Sequence, residues 1–498
     1  MKKIISIALA ILMVMSLFAC GEQTNPTDQP QTPTEDPGLN KPARVLEVGY
    51  SRKDITPEGP VMMDDGMSTG KEGKLELITI AFRDEEGEMY YHITTDLSWG
   101  GMSDNGPENS YGVCDMLRVA AKKNLGIDPA FITVAGTHNH NQLSYGSKDQ
   151  TAEDWRNNIL IPYAMASIQE ATADLAPAEM FVGRTETVNL TFVRRYFLQD
   201  GSLYEGFTGN RDSEIVKHET DADEEIQLVK FVREGKKDIL MINWQTHADS
   251  AGDKGTILNP DFPGPLRDQV EADLGVLPVF SQGACGNLAS FSRIDSENVV
   301  NAKGWAKAVK LGKAVAAYVV DLYESEDFTQ VKTGLIQNKR ITVTGTSAYH
   351  YDADEIERAK KVQAFHKTHK NGNYYTAAYA QTLGIETIYH ANAIITNSKL
   401  GPTKEYELNI ISIGDVAFTT LPMEFFDTTG RQIKDGSPFE MTFLFGYSCS
   451  KGQYVPDKDA WEHGGYESYK SYFAKGTAEE AVKYYLDTLN EQFPTRFG

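Results

Sequence analysis

Two histidines one residue apart follow a short apolar run. Gly136-Thr137-His138-Asn139-His140 comes directly after residues 131–135, Phe-Ile-Thr-Val-Ala. If the backbone stays extended there, side chains at i and i+2 project to the same side. Two imidazoles so placed can share one metal ion, or one can bind it while the other contacts substrate. The arrangement recurs along the chain. Residues 239–244 deliver His247 at their end, followed by Asp249, Ser250 and a Pro- and Gly-rich turn over 259–265. Residues 276–280 run into Ser281-Gln282-Gly283-Ala284-Cys285-Gly286-Asn287. Small residues there let backbone N–H groups come close to an anion or an oxyanion. Residues 416–420 lead to Leu421-Pro422-Met423-Glu424, where a carboxylate suits a third ligand of a divalent metal. Residues 441–445 open an aromatic loop that carries Tyr447, Tyr454 and then Trp461-Glu462-His463-Gly464-Gly465-Tyr466-Glu467. Five apolar runs ending in polar groups point to one convergent site, since sites in α/β proteins gather at strand ends.

The elements that must position these groups are legible in the apolar pattern. Strands are expected over residues 45–50, 75–82, 89–94, 131–135, 180–183, 226–232, 239–244, 276–280, 331–336, 406–413, 416–420 and 441–445. Helices are expected over 111–124, which stops at Leu125-Gly126, and over 155–175, 299–323, 353–370 and 478–493. Strands and helices alternate without a repeat period or an internal linker. The expected fold class is α/β: a large mixed α/β sandwich with β-sheets flanked by helices, forming a single catalytic body over residues 44–498. Residues 345–397 break the pattern and read as an insertion or a cap near the site.

Composition narrows the function classes. The 498 residues hold 48 Lys and Arg against 70 Asp and Glu, a formal charge of −22. Nucleic acid is therefore not an expected partner, because phosphate binding needs clustered cations. Four cysteines exclude a disulfide-built scaffold. Lys2 and Lys3 precede an apolar run over residues 4–18, too short to span a bilayer comfortably, and Leu17-Phe18-Ala19-Cys20 reads as a lipobox. Residues 1–19 are thus expected to be a lipoprotein signal peptide, with Cys20 as the lipidated residue. Residues 20–43 are almost devoid of apolar side chains and are expected to form a flexible tether. The expected location is the cell envelope, exported and lipid-anchored. Gly21 lacks the Asp associated with inner-membrane retention, which favours the outer membrane or the cell surface. His366 and His369 on a Lys-rich helix, and the acidic run over 219–225, read as solvated faces. Cys285 and Cys449 read as structural.

The ordered set of motifs resembles the neutral, non-lysosomal ceramidase family of zinc-dependent amidohydrolases. The residues that carry the resemblance are the opening Val48-Gly49-Tyr50-Ser51-Arg52-Lys53-Asp54-Ile55-Thr56-Pro57, the His-x-His pair, the later His247, the small-residue loop, Leu421-Pro422-Met423-Glu424 and the Tyr454…Tyr466 loop. It covers roughly residues 45–490. The resemblance implies zinc held by His138, His247, Glu424 and Tyr454, with His140 beside it contacting substrate or water. It implies Tyr466 as the oxyanion stabiliser and an arginine on the substrate, matched by Arg194 or its neighbour Arg195. In the substrate loop, Gly286, Asn287 and Ser290 align with a family pattern that has a Ser where Ala289 stands. The family continues into an immunoglobulin-like C-terminal domain, whereas this sequence stops at Gly498, so the catalytic domain alone is expected. The implied activity is hydrolysis of an N-acyl or related bond in a small-molecule, lipid- or glycan-derived substrate. The alternative is a non-catalytic surface lipoprotein that binds a lipid or glycan ligand on the same fold.

Overall fold

The computed structural model describes residues 45–495, apart from 104–106, 108–109, 253–254, 326, 349–350, 370–372 and 450–451. The signal peptide, Cys20 and the tether expected over residues 1–43 lie outside the described residues. Among the described residues, no helix is long and apolar enough to cross a membrane.

One sheet has nine strands. In chain order these are β1 (Glu47–Asp54), β2 (Glu76–Arg83), β3 (Met89–Thr95), β4 (Ile132–Gly136), β5 (Ala176–Glu186), β6 (Glu225–Arg233), β7 (Ile239–Trp244), β8 (Leu277–Gln282) and β9 (Thr329–Val331). Their order across the sheet is β8-β7-β6-β5-β1-β2-β3-β4, with β9 also pairing with β5. A second sheet is formed by β10 (Ile336–Thr346), β11 (Thr403–Ile413), β12 (Val416–Leu421) and β14 (Met441–Gly446), in that order. A short parallel pair joins β13 (Glu424–Phe425) to β15 (Tyr454–Val455), with Glu424 directly opposite Tyr454.

The two sheets pack face to face. Ile78, Ile80 and Phe82 of β2, with Ile239 and Met241 of β7, meet Ile411, Ile413, Phe418, Phe443 and Phe445 of the second sheet. The intervening residues Leu77 and Ala81 turn to the opposite face, under helices α1 (Val113–Leu125) and α2 (Ile161–Ala173). Leu240, Ile242 and Trp244 likewise face α3 (Pro263–Leu274) and α4 (Trp305–Glu324). This two-residue alternation explains why β7 reads as an unbroken apolar run: both of its faces are buried. Each fully buried Leu or Phe there contributes about 1.5–3 kcal/mol. The outer face of the second sheet is covered by α8 (Asp427–Gly436) and α11 (Thr477–Gln492), through Ile433, Ala481, Tyr485 and Leu489. The result is four layers, helix–sheet–sheet–helix.

Several expectations shift. Residues 331–336 are not one strand, because the chain crosses there from the first sheet (β9) to the second (β10). The helix expected over 299–323 starts only at Trp305, after Gly304 at φ 57°. The helix expected over 155–175 opens with a π-helical turn, Arg156–Leu160. Residues 345–397 connect the paired strands β10 and β11, and hold α5 (Ala353–Thr368), α6 (Asn373–Gln381) and α7 (Ile388–Asn397) around a small core of their own. Asp223 and Glu225, expected in a solvated acidic loop, instead bracket Lys434 at 2.7 and 2.6 Å.

Candidate metal centre

Four of the parallel strand pairs among the described residues lead to the site: β3/β4, β7/β8, β12/β14 and β13/β15. A parallel pair sends both C-terminal ends to the same side. His138 follows β4, His247 follows β7, Glu424 opens β13 just beyond β12, and Tyr454 opens β15 beyond β14. The fold therefore collects at one place residues spread over more than 300 positions.

His138 and His140 do not meet by strand alternation, as the sequence suggested. Strand β4 ends at Gly136, and His138 adopts the left-handed conformation, φ 61°. A non-glycine residue there is strained, and such strain concentrates at functional sites. Asp261, Tyr447 and Cys449, all within the loops around the site, share this conformation. The turn brings His138 Nε2 within 3.4 Å of His140 Nε2. One ligand atom from each of His138, His140 and His247 fits within 4.8 Å. Glu424 Oε2 lies 3.4 Å from both His138 Nε2 and His247 Nε2.

The protonation of the rings follows from their other partners. His247 Nδ1 donates to the Cys285 carbonyl at 2.8 Å, and His138 Nδ1 to the Ser98 carbonyl at 3.3 Å. A carbonyl only accepts, so each proton sits on Nδ1 and each Nε2 offers a lone pair. Those lone pairs face a carboxylate oxygen, which is also an acceptor. His247 Nε2 and Glu424 Oε2 are buried and make no hydrogen bond. Converging acceptors with no donor between them are unfavourable when buried. A cation at their centre removes the conflict, and imidazole donors held by carbonyl acceptors are the usual second shell of zinc sites. The residues present therefore fit a divalent metal. His247 is pushed down by burial and then by Arg194.

The aromatic shell explains how the rings are held. Tyr447 stacks on His138 with centroids 3.9 Å apart, and Trp99 meets both rings edge-on. The Tyr447 carbonyl accepts from Gly100 and Gly136, and Cys449 N donates to Val134 O at 3.1 Å. The loop after β14 thus clamps the end of β4. Cys449 Sγ lies 3.4 Å from Cys114 Sγ, Cys285 Sγ lies 3.0 Å from Tyr447 Oη, and all three described cysteines are free and buried.

The small-residue loop has another task than the one expected. Gly286 N donates to Phe425 O at 2.9 Å, so it does not face the site as an oxyanion donor. A Cβ at Gly286 would lie 2.4 Å from the Glu424 carbonyl, so only glycine lets β13 approach. The Asn287 side chain is tied to Asp427 in both directions, at 2.7 and 3.0 Å. Ser290 accepts from Ser250 at 3.0 Å. At Gly286 the loop supports the backbone of Glu424.

Arg194 and Arg195 divide cleanly. Arg194 donates to Tyr454 Oη, the Gly286 carbonyl and Glu467, at 3.0, 3.0 and 2.9 Å. Arg195 is fully buried and binds Glu205, Glu219 and Glu467. Tyr454 stacks loosely over His247, and Tyr466 packs against Tyr454 with centroids 5.6 Å apart. Burial raises the Tyr454 phenol and Glu424 raises it further, while Arg194 pulls it back. Sequence reading gave no role to Trp99, Tyr447, Glu205, Glu467 or Asp249, whose charge acts on His140. Trp99-Gly100-Gly101 just after β3 was the available signal, since β3 is the parallel neighbour of β4.

No protein-family model matches the chain, and no curated protein matches it. Solved structures do. The neutral ceramidase from Pseudomonas aeruginosa superposes with TM-score 0.63 at 14% identity, over 91% of this chain and 75% of that one. A ceramidase complexed with C2 superposes with TM-score 0.64 at 15% identity, over 90% and 76%. The four-layer α/β body is therefore of the fold seen in neutral ceramidase.

Proposed function

We propose that this chain is a zinc-dependent hydrolase of N-acyl bonds. The observation that carries the reading is the convergence of His138 Nε2, His247 Nε2 and Glu424 Oε2, three acceptors with no donor among them. Bound there, with Tyr454 as fourth ligand, a zinc ion would supply a Lewis acid for the acyl carbonyl and a water acidified to pKa about 7. The chain's own residues do the rest. His140 is the most exposed of the three imidazoles, and its pKa is lowered by the surrounding protein and then by His138. It is neutral at working pH and suited to pass a proton from the attacking water to the departing amine. Tyr466 and Arg194 supply O–H and N–H donors for the charge that develops on the carbonyl oxygen. Arg194 also favours the phenolate of Tyr454. The fold of neutral ceramidase supports the choice of an amide bond.

We propose also that residues 1–19 direct export and that Cys20 carries the lipid that holds the enzyme at the envelope surface. The test is metal analysis of the purified protein together with turnover of a fluorogenic N-acyl panel. Zinc bound near one equivalent, and turnover abolished by a chelator and restored by zinc, are expected. Undiminished zinc in His138→Ala would overturn the reading.

A further inference from the structure

A cavity of ≈ 410 Å³ is lined in part by Tyr466, whose ring packs on Tyr454 of the candidate centre. Its lining combines Phe207, Tyr466 and Tyr469 with Glu205, Glu386 and His463. Phe207, Tyr389 and Tyr466 form one aromatic group, with centroids 5.1–5.4 Å apart. Glu205 lies deep: it accepts from Tyr466 N at 2.8 Å and from Arg195 at 3.1 Å. Glu386 is exposed at the rim and accepts from the Tyr469 hydroxyl.

These walls do not suit an alkyl chain. Filling the cavity with methylenes would strip water from Glu205 and Glu386 and offer no hydrogen bond in return. A compact ring bearing several hydroxyls satisfies both requirements: its C–H faces lie on the aromatic rings and its O–H groups donate to the carboxylates. The sign of the charge also assigns the cavity to one side of the reaction. Hydrolysis adds water across the amide, breaking the C–N bond to give a carboxylate and, after protonation, an ammonium. The rim carboxylate of Glu386, which no cation among the described lining residues neutralises as Arg195 does Glu205, attracts the ammonium and repels the carboxylate.

From this we infer that the cavity is a leaving-group subsite for a polyhydroxylated amine of the amino-sugar kind, so that the preferred substrate is an N-acylated amino sugar rather than an N-acyl alkylamine. The inference rests on the N-acyl hydrolase reading only for the chemistry, not for the binding. The test compares N-acetylglucosamine with N-acetyl-octylamine on the zinc-loaded full chain. Wild type should favour N-acetylglucosamine in kcat/KM. Phe207→Ala and the surface variant Glu386→Gln should each raise its KM about tenfold and leave N-acetyl-octylamine unchanged. Preference for the alkylamine, or equal losses on both substrates, overturns the subsite. Binding of N-acetylglucosamine to metal-free Glu424→Ala, followed by ligand-observed NMR, separates the two readings. Binding that persists while no wild-type amide turnover exists refutes the hydrolase and keeps the subsite, whereas no binding refutes the subsite.

Discussion

Two buried polar clusters sit side by side in this molecule, and adjacent residues lead into them. Around Arg195, every guanidinium nitrogen has an acceptor: Glu219 at 2.5 Å, Glu467 at 3.0 Å and Glu205 at 3.1 Å, with the Ala460 and Gly464 carbonyls completing the fork. Around Glu424, three acceptors converge and the central ones are left without a hydrogen bond. Burial is similar in both, so burial does not distinguish structure from function. Completeness of pairing does. A closed network holds the loops of residues 203–219 and 460–467 together, and an open one awaits a cation. His92 makes the same point with an imidazole. It is fully buried, yet Thr133 and Thr94 satisfy its two nitrogens at 2.9 and 3.1 Å.

The largest expected effect is at the open cluster. Glu424→Gln should abolish zinc binding and turnover, a loss exceeding the ~10–100-fold of an outer-shell change. It should also erase the zinc-induced rise in stability, about 2.7 kcal/mol at a hundredfold excess over Kd, read as a shift in Tm. At the closed cluster the effect is on folding. Arg195→Met removes the guanidinium that Glu205, Glu219 and Glu467 share, leaving Glu467 only Arg194, and should cost about 3–5 kcal/mol in denaturant unfolding, while the folded fraction still binds zinc. Unchanged stability with lost zinc binding would erase the division between the clusters.

Gly286→Ala probes the support of the open cluster. The added methyl must displace the Glu424 backbone, so zinc affinity should fall ~10–100-fold, measured by competition with a chromogenic chelator. The smallest effect at neutral pH concerns His92, whose pKa burial pushes down to about 3 from 6.5. Between these values the unfolded chain binds a proton that the folded chain refuses. Its contribution to stability is therefore complete above pH 6.5 and is lost as pH falls towards 3, by about 1.4 kcal/mol per pH unit. His92→Phe should flatten the acid limb of the stability–pH profile relative to wild type by that slope. An unaltered slope would show that His92 is not the buried, neutral imidazole described.

Much of the fold was visible in one dimension. Strands β1 to β4, β6 to β8, β12 and β14, and helices α1 and α11, follow apolar runs whose periods are local properties of the chain. The misses have local causes too. Residues 331–336, Val-Lys-Thr-Gly-Leu-Ile, read as one strand from their apolar ends, and the polar Lys332-Thr333-Gly334 between them is where the chain crosses between sheets. Helices α6 and α7 carry small and aromatic residues that pack against α5, each other and residues distant in sequence such as Tyr466 and Tyr469. Site residues on strand ends were legible because His and Glu after an apolar run are conspicuous. Those that act through backbone atoms or rings, such as Ser98, Tyr447 and Cys285, were not, since a carbonyl carries no sequence signature.

The sequence by itself determined which residues are able to bind a metal and which segments are extended or helical, because ligand chemistry and apolar period are properties of side chains in order. Only the tertiary structure decided that Arg194 faces the site while Arg195 does not, that Gly286 supports the Glu424 backbone, and that Tyr466 both packs on Tyr454 and lines an aromatic cavity. Those facts depend on which strands pair in parallel and which polar atoms remain unpaired after packing, and neither is a property of any single stretch of chain.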